Sequence, residues 1–150
     1  MTVALTAADV AAAARGRLVA GNPQTPIGRI SIDSRSLVAG DFLVAIRGER
    51  LDRHTFSDES LRRGAIGVMT SEPVSLPGDA VAVVVQVGDT TAALQDVARW
   101  IRRKSGAKVV AITGSAGKTT TKEICADLLS TRYRVFRNQG RRASRLPSLL

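Results

Sequence analysis

The sequence predicts an α/β chain in two parts. A small α/β domain occupies residues 1–105, and residues 106–150 hold the first strand, loop, helix and strand of a P-loop-type domain. Three observations lead there. Short apolar runs rich in β-branched residues recur along the chain, Val81–Val87 being the purest, as buried strands require. Between two of them, Thr90–Lys104 carries apolar residues at helical spacing. Finally, residues 108–123 read KVVAITGSAGKTTTKE, in which an apolar run meets a glycine turn that opens into a second helical pattern.

Taken in order, Thr6-Ala7-Ala8-Asp9 has the form of a capping box with Asp in place of Glu, and predicts a helix through about Ala14 that Gly16 stops. Gly21-Asn22-Pro23 is a loop signal, and Ile27–Asp33 alternates apolar and polar residues as a half-buried strand does. Phe42–Ile46 is a second strand, Leu51–Ser57 a loop, and Asp58–Arg63 a short helix ended by Gly64. Ala65–Met69 and Val81–Val87 are the third and fourth strands. In the helix Thr90–Lys104, Ala93, Leu94, Val97, Ala98 and Ile101 form the face expected to be buried, with Arg99, Arg102 and Arg103 largely off it. Ser105-Gly106 marks the boundary between the two parts.

Beyond it, Val109–Ile112 is the strand that leads into Thr113-Gly114-Ser115-Ala116-Gly117-Lys118-Thr119, and Ile124, Cys125, Leu128 and Leu129 fall at helical spacing in the segment that follows. Strand, glycine turn, lysine and helix make a polyphosphate site. The glycines let several backbone N–H groups converge on one anion, and the helix start adds its partial positive charge. The candidate ATP-binding residues are Gly114, Ser115, Ala116, Gly117, Lys118, Thr119 and Thr120. Lys118 would reach the β- and γ-phosphates, and the Thr119 hydroxyl would be a ligand to Mg²⁺. Only two residues separate Gly114 from Gly117, where the common P-loop has four. A plain strand-to-helix turn needs one glycine and no lysine here, so the anion site is the better reading.

Charge and composition narrow the classes. The net charge of +9 is unevenly held. Residues 1–105 carry 13 basic and 11 acidic side chains, whereas 106–150 carry 9 and 2, with six arginines between Arg132 and Arg145. A terminal patch without interleaved aromatics does not predict nucleic-acid binding. The single cysteine, Cys125, excludes an internal disulfide and sits where a core position is expected. Met1–Ala14 lacks the basic start of a signal peptide, and no apolar run reaches the length of a membrane span, so a soluble cytoplasmic protein is expected.

A second cluster comprises Ile32-Asp33-Ser34-Arg35, Ala39-Gly40-Asp41-Phe42, Arg47-Gly48-Glu49 and Asp52-Arg53-His54-Thr55-Phe56. Each piece has a plain local reading: Asp33-Ser34 as a turn start, Gly40-Asp41 as the turn before a strand, His54 as a loop cap. Together they would set polar donors along one rim of a sheet, suited to uracil and a pyrophosphate.

The segment TGSAGKTTTKE resembles the ATP loop of the Mur ligases, the ATP-dependent amide-forming enzymes of peptidoglycan precursor synthesis. Its Thr121-Lys122-Glu123 continuation is most similar to the member that adds D-alanyl-D-alanine, and Ala116 stands where many members have Asn. The second cluster is similar to the family's D-S-R, G-D-x-F and D-G-H-x-F pieces, with Phe42 one place early and Arg53 in place of the usual glycine. The resemblance implies that Ser34, Arg35, Gly40, Asp41, Phe42 and His54 bind the UDP end of a UDP-N-acetylmuramoyl-peptide, and that ATP and Mg²⁺ are used. It also implies the reaction. The γ-phosphoryl group of ATP passes to the substrate's terminal carboxylate, and the amine of D-alanyl-D-alanine attacks the acyl phosphate.

The resemblance runs from about residue 27 to Gly140, through an expected strand at Tyr133–Phe136, and weakens at Arg141-Arg142-Ala143-Ser144-Arg145. The family's later metal ligands, modified lysine and C-terminal domain have no counterpart before Leu150, so the chain is expected to be a truncated ligase, inactive alone, with no catalytic base assignable. Two alternatives stay open: the sister ligase that adds the third amino acid, and a non-catalytic nucleotide-binding module. Folate polyglutamate-forming ligases share a similar loop but lack the D-S-R cluster.

Overall fold

Thr6 and Asp9 cap each other as their spacing predicts. The Asp9 N–H donates to the Thr6 hydroxyl oxygen at 3.2 Å, and the Thr6 N–H donates to the Asp9 carboxylate at 3.0 Å. The helix they open, α1 (Ala7–Ala13), ends in a Schellman turn. Arg15, not a glycine, takes the left-handed position there (φ 53°), while the Gly16 N–H returns to the Ala11 carbonyl at 2.9 Å. The computed structural model describes residues 4–46, 60–74 and 82–137, which divide into two compact units meeting in sequence at Gly106 and Ala107.

In the first unit α1 is followed by β1 (Arg17–Ala20), β2 (Ile30–Ser31), β3 (Phe42–Val44), β4 (Gly67–Thr70), β5 (Val83–Gln86) and α2 (Thr90–Ser105). The five strands form one sheet in the order β1-β5-β4-β3-β2. β2 to β5 are parallel, and β1 runs antiparallel along β5. Because both faces of a parallel sheet are covered, β3, β4 and β5 carry continuous apolar runs, with the polar Thr70 and Gln86 only at the ends of β4 and β5. Phe42, Val44, Met69, Val83 and Val85 pack with α1 and α2. Leu43, Val68 and Val84 point the other way, against Leu37 and Val74. Full burial of such a side chain stabilises by about 1.5–3 kcal/mol, which makes these strand residues the main support of the fold.

Several expectations shift. β1 was not expected: its four residues lie between two glycines, and its partner β5 is far along the chain, so no local pattern reveals it. The strand expected over Ile27–Asp33 is only Ile30–Ser31, because the Ile27 N–H is taken by the Leu5 carbonyl at 2.7 Å and Asp33 turns the chain. Residues 60–62 are helical, as expected of Asp58–Arg63, whose first two residues lie outside the described ones. In α2, capped by Asp89 through the N–H groups of Thr91 (2.7 Å) and Ala92 (2.9 Å), Ala93 and Val97 are buried as expected. Ala98 is exposed, and Trp100 takes a place against the core instead.

The second unit contains α3 (Lys118–Ser130). Neither flanking strand forms. Val109–Ile112 and Tyr133–Phe136 have no ladder among the described residues, and Val109, Val110, Tyr133 and Phe136 are exposed. A parallel strand is held by a neighbour and by cover on both faces, and one helix cannot supply these. The same shortage affects α3. Only Ala126 is buried, Cys125 is half-buried and not a core residue, and Ile124 and Leu128 are 62% and 70% exposed. Among the described residues no helix is long and apolar enough to cross a membrane.

Candidate functional site

At the start of α3 the chain turns through Gly114 (φ 154°) and Gly117 (φ 73°). Gly117 is the helix N-cap. A left-handed φ there would cost another residue roughly 1–2 kcal/mol, which explains the glycine. No side chain caps this helix, so its first-turn N–H groups keep their direction along the axis toward the loop. The Lys118 ammonium folds back over the turn, donating to the Gly114 carbonyl and, at 3.4 Å, to the Ser115 carbonyl. Gly114, Ser115, Ala116, Gly117, Lys118, Thr119 and Thr120 are all exposed. A glycine cap, an uncapped helix start and a lysine held over the loop fit a polyphosphate chemically. One turn further on, Glu123 bonds Lys122 (3.0 Å) and Arg137 (2.7 Å). The Lys122 hydrogen bond, with both positive charges nearby, holds the Glu123 carboxyl below its usual range.

The residues expected at the uridine end are arranged differently from a single rim. Ser34 and Arg35 lie in a 3-10 turn, Ser34–Ser36, after the end of β2, whereas Gly40 and Asp41 precede the start of β3. In a parallel pair these are opposite ends, so the two pieces do not share one edge. Asp33 shapes the turn, its Oδ1 accepting from the Arg35 N–H and from Arg35 Nε, each at 3.1 Å. The Arg35 side chain is exposed and Ser34 is half-buried. Gly40 (φ 87°) is exposed, and its N–H donates to the Gly64 carbonyl at 2.8 Å. Phe42 is fully buried in the sheet core, so its side chain supports the site without lining it.

Asp41 is 2% exposed and its carboxylate is fully engaged. Arg29 Nε donates to Oδ1 at 2.7 Å, Arg29 Nη2 donates to Oδ2, and the Val38 N–H donates to Oδ2 at 2.9 Å. Burial pushes this carboxyl up, but the Arg29 guanidinium and the Val38 N–H outweigh it and hold Asp41 below its ordinary value. Arg29 Nη2 also reaches the Ser36 carbonyl at 3.0 Å, and Arg63 Nη1 reaches the Ser34 carbonyl at 3.1 Å. Arg29 thus joins the separated pieces and Arg63 holds the Ser34 end, and the sequence reading missed both. Arg29 is twelve residues from Asp41, and no helical or strand period links them. His54, with Arg53 and Phe56, lies outside the described residues.

No protein-family model matches the chain. It is 45% identical over 104 residues to the UDP-N-acetylmuramoyl-tripeptide–D-alanyl-D-alanine ligase of Synechocystis, a match covering 69% of this chain and 23% of that protein. The ligase of the same name from Bacillus subtilis is 35% identical over 138 residues, 90% of this chain and 30% of that protein. Among solved structures, a crystal structure of MurF from Acinetobacter baumannii superposes with a TM-score of 0.79 at 34% identity, over 93% of this chain and 30% of the other. The chain therefore spans less than a third of the length of the relatives it matches. With that sequence identity carried on the same mixed α/β fold, the chain belongs to the Mur ligase family.

Proposed function

We propose that this chain carries the UDP-substrate site and the ATP loop of a ligase that adds D-alanyl-D-alanine to UDP-N-acetylmuramoyl-tripeptide, a step of peptidoglycan precursor synthesis. One observation carries the reading. A match over 90% of the chain has to take in both the Asp33–Phe42 stretch and the Gly114–Thr120 loop, and the relative matched bears that activity in its name.

In this reading Ser34, Arg35 and Gly40 meet the UDP end of the substrate, together with His54, while Asp41 and Phe42 fix the backbone that presents them. Around the Gly114–Thr120 loop, backbone N–H groups and the α3 start hold the ATP phosphates. Lys118 would move from the loop carbonyls to the β- and γ-phosphates, and the Thr119 hydroxyl would hold Mg²⁺. ATP supplies the phosphoryl group that activates the substrate carboxylate. The residues of this chain bind and orient, and positioning of this kind contributes on the order of 7–11 kcal/mol in well-oriented reactions. A cytoplasmic location belongs to the same reading.

Calorimetry on the 150-residue chain tests it, with uridine diphosphate and MgADP as separate titrants. Arg35→Ala is expected to weaken uridine diphosphate alone and Lys118→Ala to remove MgADP binding alone. Unchanged binding of both titrants in both variants would refute the two assignments.

A further inference from the structure

We infer that Arg29 is a positioning residue for uridine-nucleotide recognition, acting through Asp41 and the Ser36 carbonyl on the turn that presents Ser34 and Arg35. The inference rests on the reading that this turn meets the UDP end of the substrate. Arg29 stands just before β2, and its own carbonyl accepts the Phe42 N–H at 2.8 Å, so its backbone is tied to the start of β3. Its guanidinium then spans the loop between those strands. One edge bonds both oxygens of Asp41, and the second hydrogen of Nη2 is directed to the Ser36 carbonyl at 3.0 Å. Asp41 in turn fixes the Val38 N–H, also within the loop, at 2.9 Å.

Two points of one loop, residues 36 and 38, are therefore held by one ion pair rooted in the sheet. The Ser34 carbonyl is held separately by Arg63. The two strand ends that carry the expected substrate residues lie apart, and a planar fork of fixed geometry joins them. A lysine keeps the positive charge opposite Asp41 but replaces that fork with a point charge, so it does not reproduce the three-way geometry. A purely structural ion pair would affect stability and leave selectivity among ligands unchanged. A positioning residue affects binding of one ligand and spares the other.

The test uses the whole chain and four proteins: wild type, Arg29→Lys, Asp41→Asn and Arg35→Ala. Titrants are uridine diphosphate and MgADP, and thermal melts and amide spectra are recorded on each protein. Arg29→Lys is expected to stay folded, to bind uridine diphosphate at least tenfold more weakly, and to bind MgADP within twofold of wild type. Its amide signals at Ser34, Arg35 and Ser36 should shift before any ligand is added. If Arg29→Lys does not fold, Asp41→Asn carries the test and is expected to show the same selective loss. Uridine diphosphate affinity within twofold of wild type in the variant that folds, while Arg35→Ala loses tenfold, would overturn the inference and leave the functional reading intact. Equal loss of both ligands would overturn it too, by showing a general effect. If Arg35→Ala binds like wild type, or wild type fails to bind uridine diphosphate, the functional reading falls and the inference falls with it.

Discussion

Gly67 opens β4, in register with Phe42 on one side and Val83 on the other, and a methyl group there has no room. A Cβ at this position would lie 2.4 Å from the Val83 carbonyl oxygen and 2.6 Å from the Val83 Cβ. That is about 1 Å short of ordinary contact, and the nearest obstacle is backbone, which cannot rotate away. β4 and β5 must part locally, stretching the 3.0 Å bond from the Val83 N–H to the Ile66 carbonyl beyond useful length. One lost backbone bond costs about 1 kcal/mol and overpacking about 1–3 kcal/mol, so Gly67→Ala is expected to destabilise by about 2–4 kcal/mol. The strain also reaches the candidate site, because the neighbouring Ile66 N–H holds the Asp41 carbonyl at 2.9 Å. Gly88→Ala is the control: nothing lies within 4 Å of a Cβ there, and a change within about 0.5 kcal/mol is expected. Urea unfolding of both variants, followed by circular dichroism, measures the difference. Equal midpoints at equal slopes would refute the claim that close strand approach dictates this glycine.

Lys118→Ala should abolish MgADP binding and Cys125→Ser should leave it nearly intact. Equal loss in calorimetry would point to unfolding of the loop and helix. Asp41 predicts a pH signature, since its folded value lies below the ordinary 3.8. The stability it contributes is full above 3.8 and is lost as pH falls through the lower folded value, so the stability gap between wild type and Asp41→Asn should close in that acid window. Denaturation midpoints from pH 7 down to pH 2 check this, and a gap constant across the range would contradict the ion-pair account. The exposed apolar side chains of α3 predict self-association. Ile124→Lys combined with Leu128→Glu should lower the sedimentation-average mass at high concentration without changing uridine diphosphate affinity.

Legibility in the sequence followed the range of each interaction. The Thr6–Asp9 box, the amphipathic pattern of α2 and the valine-rich β5 rest on neighbours within four residues or on composition, and could be read directly. β1 could not, since four ordinary residues become a strand only by lying along β5. The errors around the glycine loop have the opposite cause. Val109–Ile112 and Tyr133–Phe136 have strand propensity, and propensity without a pairing partner does not make a strand. At the candidate site the motif residues were visible, but the division of labour was not. Only in the folded chain does Asp41 face inward to Arg29 while Arg35 faces solvent.

The position of β1 at the sheet edge constrains the order in which the first unit assembles. Each strand from β2 to β4 finds its neighbour in the next strand of the chain, whereas β1 pairs with the last, Arg17 opposite Gln86. During synthesis the first strand of this sheet to emerge therefore waits longest for its partner, and the loop that has to close is the longest in the sheet. α1, which packs on β1 and β5, waits with it. A nascent chain halted before Val83 can begin the β2–β3–β4 ladder but has no platform for its own N-terminal helix. The arrival of β5 and α2 completes the β1 edge of the sheet and its helical cover together, so the N-terminal helix is expected to gain hydrogen-exchange protection in the same kinetic phase as α2, some eighty residues later in the chain.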